Sequence, residues 1–210
     1  MRCSASSIMV YTNAAAFLGL AVFFFLVPAG LVLRGVSDEH IAKPGVPQMA
    51  RGLFRDLTPA YADWARERLA SGRAQELSTA DISGTEWPLF GSVFYLWSVV
   101  ALQEAWEDDP ARFAAEPRVY AAKAVDAATR LVIDPAQAAW VEKHWGADYL
   151  HTQNVFYRML VIAALTSHAE LTESEEHLPL LRDQVERLSE ELAASPHGWL
   201  EDYPGECYPA

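Results

Sequence analysis

Trp87-Pro88-Leu89-Phe90-Gly91-Ser92-Val93-Phe94-Tyr95-Leu96-Trp97-Ser98-Val99-Val100-Ala101-Leu102 is a run of sixteen residues without a charge. A helix of that composition has no polar stripe to turn toward water, so it is expected to be buried nearly all round. It is short for a bilayer and carries Gly91, Ser92 and Ser98, which favours burial in protein over lipid. Residues 155–164 are of the same kind, apolar apart from Arg158. The segments around these two inner helices are amphipathic. Residues 59–70 carry Asp63, Arg66, Glu67 and Arg68 and can bury only one stripe. Residues 117–133 place Tyr120, Ala124, Ala127, Ala128 and Leu131 on one side, with Asp126 and Arg130 paired at i,i+4 on the other. A short piece over 136–143 follows Asp134-Pro135. Leu178, Leu181, Val185, Leu188 and Leu192 then form a stripe opposite Arg182, Asp183, Glu186, Arg187 and Glu190. No alternating β-branched run with a hairpin turn is present, so the fold class is all-α. Outer and inner helices joined by short connections describe part of an α/α toroid or, alternatively, an antiparallel helical bundle.

Toward the N-terminus, no charged residue stands between Arg2 and Arg34, and residues 14–33 are apolar over the length that crosses a bilayer as a helix. The expectation is a single-pass transmembrane anchor over 1–34, a Pro/Gly-punctuated linker over 35–58 and a helical domain over 59–210. The rival is a cleaved signal peptide with Val27-Pro28-Ala29 as its site, against which the apolar stretch runs on past Ala29. Arg34, Lys43 and Arg51 on one side against Arg2 and the α-amine on the other favour a cytoplasmic domain only weakly, so the membrane side stays open.

The 210 residues carry 28 acids against 16 bases, a net charge of −12, with a pI near 4.8. No Lys/Arg cluster supplies the positive footprint that binding to a phosphate backbone requires, which excludes nucleic acid as a partner. Removing residues 1–34, which hold two bases and no acids, leaves 14 bases against 28 acids, a net of −14 that anionic lipid would repel. Seven Trp, eight Tyr and nine Phe exclude a disordered chain. Cys3 and Cys207 lie on opposite sides of the apolar segment, so no intrachain disulfide is expected. No Gly-rich phosphate loop follows a strand, and no cofactor is expected.

Candidate chemistry gathers ahead of the inner helices, in Gly84-Thr85-Glu86-Trp87-Pro88 and in residues 144–154, with a third loop of the same character over 201–209. Loops entering inner helices converge on one mouth, where aromatic side chains and a few polar groups would line a pocket for a small-molecule substrate. The third loop closes the chain where a third inner helix is expected, so the sequence reads as the front part of a longer toroid; alone, such an open layer would form a homo-oligomer or stay a bundle. Glu86 and Asn154 each also suit a helix cap. Tyr149 and Tyr157 also suit core packing. His144, Asp148 and His151 stand at i, i+4 and i+7, a metal-ligand spacing only on a continuous helix, and Gly146 argues against that helix; no metal site is expected. His168, His177 and His197 read as surface residues. Around Glu206-Cys207, two X-Pro bonds at Tyr203-Pro204 and Tyr208-Pro209 hold the backbone extended, so that one of the two side chains faces inward. A desolvated carboxylate there could act as general acid or base, and a thiol could act as thiolate.

Glu86-Trp87-Pro88, Asn154-Val155-Phe156-Tyr157-Arg158 running into an inner helix, and Tyr203-Pro204-Gly205-Glu206 together resemble the α/α-toroid family of linalool dehydratase-isomerase, over residues 80–210 in order and spacing. The resemblance implies a closed pocket for metal-independent acid-base chemistry on an isoprenoid alcohol, with Tyr157, Tyr203 and Glu206 at pocket-lining positions. This chain has Gly205 where the family loop has cysteine, with Cys207 following Glu206 instead, so neither the cysteine's role nor the substrate carries over. The first expectation is therefore a membrane-anchored enzyme of lyase, isomerase or hydrolase type acting on an uncharged apolar or carbohydrate substrate. Glu86, His151, Glu206 and Cys207 are its catalytic candidates, and Trp87, Asp148, Tyr149, Asn154, Tyr157, Tyr203 and Tyr208 its substrate-binding ones. The alternative is a non-catalytic, membrane-tethered domain that binds a ligand or partner.

Overall fold

A computed structural model describes residues 5–42 and 45–200, all of it helix, turn and loop with no strand among the described residues. The chain divides into two compact units, Met1–Leu53 and Phe54–Ala210. In the first, α1 (Ala5–Ala21) passes through one wider turn (Val22–Leu26) into α2 (Val27–Val36). The wide turn has a cause in the sequence. Pro28 has no N–H and its ring clashes with the carbonyl four residues back, and the backbone upstream loosens to i→i+5 bonding, with the Val27 N–H on the Val22 carbonyl. Tyr11–Val36 is long and apolar enough to cross a membrane and buries nothing against the protein. Past it, Asp38 accepts a hydrogen bond from the Gln48 N–H at 2.8 Å, at the start of α3 (Gln48–Ser71). The expected linker is thus helical from Gln48 onward.

The second unit is built from α3, α4 (Ile82–Asp108), the single turn α5 (Pro117–Tyr120), α6 (Ala122–Ile133), α7 (Ala139–Trp145), α8 (Val155–Thr172) and α9 (Leu178–Ala194). Helices α4 and α8 lie side by side and parallel. Phe90 meets Phe156 at 5.1 Å near their N-terminal ends, while at the far ends Gln103 accepts from the Arg118 N–H and Arg118 pairs with Glu173 at 2.9 Å. Helices α3 and α9 run the other way. Helix α3 reaches α4 through Thr58–Tyr95 (3.0 Å) and Tyr61–Ser92 (2.8 Å), and α9 reaches α8 through His177–His168 and through Gln184 and Glu191 on Arg158. The core lies between α4, α6, α7 and α8, around Leu89, Leu96, Val132, Trp140, Val161 and Leu165.

Two helices continue through prolines that the sequence reading took as starts. Pro59 sits inside α3 and Pro88 inside α4. Each withholds an N–H from the carbonyl four residues back. In both places a side chain from another element supplies the missing donor: the Tyr120 hydroxyl donates to the Arg55 carbonyl at 2.7 Å, and the Arg68 guanidinium to the Gly84 carbonyl at 2.6 Å. Helix α4 accordingly begins at Ile82, capped by Asp81, whose carboxylate accepts from the Gly84 N–H at 3.1 Å. The 117–133 helix is instead broken at Ala121. Helix α4 is also not buried all round: Trp87, Phe94 and Trp97 are 64%, 52% and 48% exposed, because no other element of the second unit covers the side facing away from α6 and α8.

Candidate functional site at the loop end of the bundle

The N-terminal ends of α4 and α8 share one end of the bundle, as the Phe90–Phe156 contact requires, and residues 146–154 lead into α8 there. Gly146, at φ 84°, ends α7 and turns the chain. That break removes the continuous helix on which His144, Asp148 and His151 would have formed a ligand face. His144 lies in α7 with its ring 5.3 Å from Trp145, and no metal-holding cluster of His, Cys, Asp and Glu occurs among the described residues.

Asp148 and His151 do meet. His151 Nδ1 lies 2.7 Å from an Asp148 carboxylate oxygen, and its Nε2 lies 3.4 Å from Asp183 on α9. Asp183 also pairs with Arg187 at 2.8 Å and accepts from the Gln184 amide at 2.9 Å. Arg187 above all, helped by Gln184 and the His151 charge, holds the Asp183 carboxyl below its ordinary range against a smaller opposing effect of burial. Gln184 in turn accepts from Arg158 Nε at 2.8 Å, and Arg158 Nη1 donates to both oxygens of Glu191 at 2.7 and 2.9 Å and to the Thr152 carbonyl at 3.3 Å. The result is one polar chain from Asp148 through His151, Asp183, Gln184 and Arg158 to Glu191. It fastens the loop before α8 onto α9.

The other predicted residues divide by place. Asn154 is the cap of α8, its side-chain oxygen accepting from the Tyr157 N–H at 3.1 Å, a contact worth about 1 kcal/mol. Tyr157 is fully buried, donates its hydroxyl to the Val132 carbonyl at 2.7 Å and packs edge-on to half-buried Tyr149; burial pushes both phenols up. Glu86 and Trp87 belong to the first turns of α4, not to a loop, Glu86 half-buried and Trp87 exposed. Tyr203, Glu206, Cys207 and Tyr208 lie outside the described residues. His168, expected at the surface, is buried against His177.

Sequence reasoning passed over Arg158, Gln184 and Glu191. The signal was present: a lone arginine in an apolar helix must find an anion or a set of acceptors. Gln184 and Glu191 stand seven apart on the facing helix, which puts both on one side of it. Beside this network is a groove of about 550 Å³, lined by Gln153, Glu191, Ala194, Ser195, Pro196, His197, Trp199 and Leu200. Its walls combine an aromatic plane, apolar edges, a carboxylate, an amide and a hydroxyl. Comparisons with protein-family models, curated proteins and solved structures give no match.

Proposed function

We propose that this chain is a membrane-tethered helical domain that binds an uncharged ligand having an apolar face and hydroxyl groups, as a sugar ring has, in the groove beside Trp199 and Glu191. The observation that carries the reading is the groove's lining. Trp199 offers a face on which such a ring can stack, and Gln153 and Glu191 offer hydrogen-bond partners for its hydroxyls. Glu191 is held in place by the buried Arg158, so the groove wall is preorganised rather than recruited by the ligand. The alternation of outer α3, α6 and α9 with parallel inner α4 and α8 supports an α/α-toroid arrangement, with the groove at the loop end where such folds gather their binding groups.

Binding is favoured over catalysis because His151 faces a carboxylate with each ring nitrogen and the buried Tyr157 hydroxyl is committed to a backbone carbonyl. Titrating the full chain in detergent with methyl glucoside, and following the indole N–H resonances by NMR, tests the reading. The Trp199 resonance, assigned by its loss in Trp199→Ala, is expected to shift with saturation, and Gln153→Ala to weaken binding severalfold. An unmoved Trp199 resonance across glucosides, galactosides and uncharged cyclic alcohols would sink the binding reading. Conversion of any of these probes to product would replace it with the enzymatic one.

A further inference from the structure

The side of α4 that no other element of the second unit covers is aromatic and uncharged. Trp87, Gly91, Phe94, Ser98 and Ala101 recur at four- and three-residue steps, one face of a helix, and all are exposed, with Trp97 at its edge. The opposite face, Leu89, Ser92, Val93, Leu96 and Val99, is fully buried in the core. The rings form a continuous strip, with Phe90 6.0 Å from Phe94 and Phe94 5.7 Å from Trp97. We infer that this face of α4 is a self-association surface that seats the same face of a second copy of this chain.

Three properties select a second copy over another occupant. The first is charge. Residues 87–102 hold none, while the chain beyond residue 34 carries −14. A basic partner would be drawn to the acidic outer helices and not to this face, whereas two copies meeting here leave most of their like charges away from the contact. Anionic lipid is disfavoured by the same −14. The second is shape. An isologous contact places a surface against itself about a two-fold axis. An axis near Phe94 lays Trp87 of one copy over Ala101 of the other and Trp97 near Gly91, large against small, with the two Phe94 rings meeting at the axis. A Cβ built at Gly91 meets nothing within 4 Å, so the hollow is open. The third is area. The three exposed aromatics offer roughly 400 Å² between them, about half of what one partner contributes to a standard interface of ~800 Å². Gly91, Ser98, Ala101 and half-buried Phe90 extend the same strip. Tethering two copies in one membrane raises their effective concentration, so an interface of modest size suffices.

The test is the mass of the full chain in a mild detergent, measured by light scattering with Cys3→Ser and Cys207→Ser in place to exclude disulfide cross-linking. Two chains per particle are expected, reduced twofold to one chain by Phe94→Glu and equally by Ser98→Glu. Both positions are exposed, so helix content by circular dichroism should stay at the parent's level; Ser98→Glu removes no apolar side chain and reports on the interface even if Phe94→Glu disturbs folding. One chain per particle in the parent would overturn the inference. So would a two-chain mass that survives both substitutions, since the apolar N-terminal helix would then be holding the copies together. Quenching of tryptophan fluorescence by brominated lipid that Trp87→Ser and Trp97→Ser abolish would overturn it as well, by placing the face on the bilayer.

Discussion

Arg158 is the side chain on which the loop end depends. Its guanidinium has no exposed surface, and removing such a charge from water costs several kcal/mol unless partners surround it. Here Glu191, Gln184 and the Thr152 carbonyl do so, joining α8, α9 and the preceding loop. Nη2 has no hydrogen-bond partner among the described residues, so the site is already one donor short and tolerates little further loss. Glu191→Leu should therefore destabilise the second unit by about 3 kcal/mol, the low end of the range for a broken buried pair because Glu191 itself keeps some contact with water. Arg158→Met combined with Glu191→Leu should recover most of that loss, since an apolar pair leaves no charge stranded. Urea-unfolding midpoints of the parent, both single variants and the double variant decide it; a double variant as unstable as the sum of the singles would show that the pair does not act as a unit. An arginine in an otherwise apolar run requires a partner. Which acid answers it follows only from how α9 is laid on α8, and local patterning does not encode that.

At the scale of elements, hydrophobic patterning placed helices where the second unit has α3, α4, α6, α7, α8 and α9, but proline misplaced two of their starts. Pro59 and Pro88 read as boundaries because each removes a donor, and the compensating donors, Tyr120 and Arg68, come from other elements. The same long-range dependence hid His168, which polar neighbours in sequence marked as exposed and which α9 covers. Burial first, and then the nearby His177, lower the His168 pKa, outweighing Glu176 and Asp126, which act the other way. The folded hairpin of α8 and α9 thus prefers neutral His168, while the unfolded chain takes up a proton near pH 6.5. Its contribution to stability is complete above that pH and is lost as pH falls toward the depressed folded value. Thermal melts of the full chain between pH 7.5 and 5 should show stability declining with acid, and His168→Gln should flatten the decline. A variant with the parent's slope would shift responsibility to the carboxylates.

For the whole molecule, the two units pose separate physical problems. The second has a core of its own around α4, α6, α7 and α8, whereas Tyr11–Val36 buries no part of itself and exposes Phe23, Phe24, Phe25 and Leu31. At ~1.5 Å per residue, a 26-residue helix reaches ~39 Å, longer than the ~30 Å hydrocarbon layer. Lipid is the solvent that such a surface matches, and a continuous helix satisfies its own backbone there. The candidate residues in 201–210, among which the sequence reading placed much of its chemistry, lie outside the described residues, and what sequence and structure give together is one N-terminal helix long and apolar enough to cross a membrane. Expressed in its own cells, the full chain should stay with the membrane pellet through an alkaline carbonate wash and keep its complete mass. Deleting residues 2–36 should release it to the supernatant, and the net charge of −14 beyond residue 34 should keep the released protein off vesicles rich in anionic lipid. A soluble product lacking the first 29 residues or so would identify the apolar helix as a cleaved leader. In that outcome pairing through α4 rests on the interface alone, and the same light-scattering measurement on the shortened chain should give a mass that rises from one chain toward two with concentration.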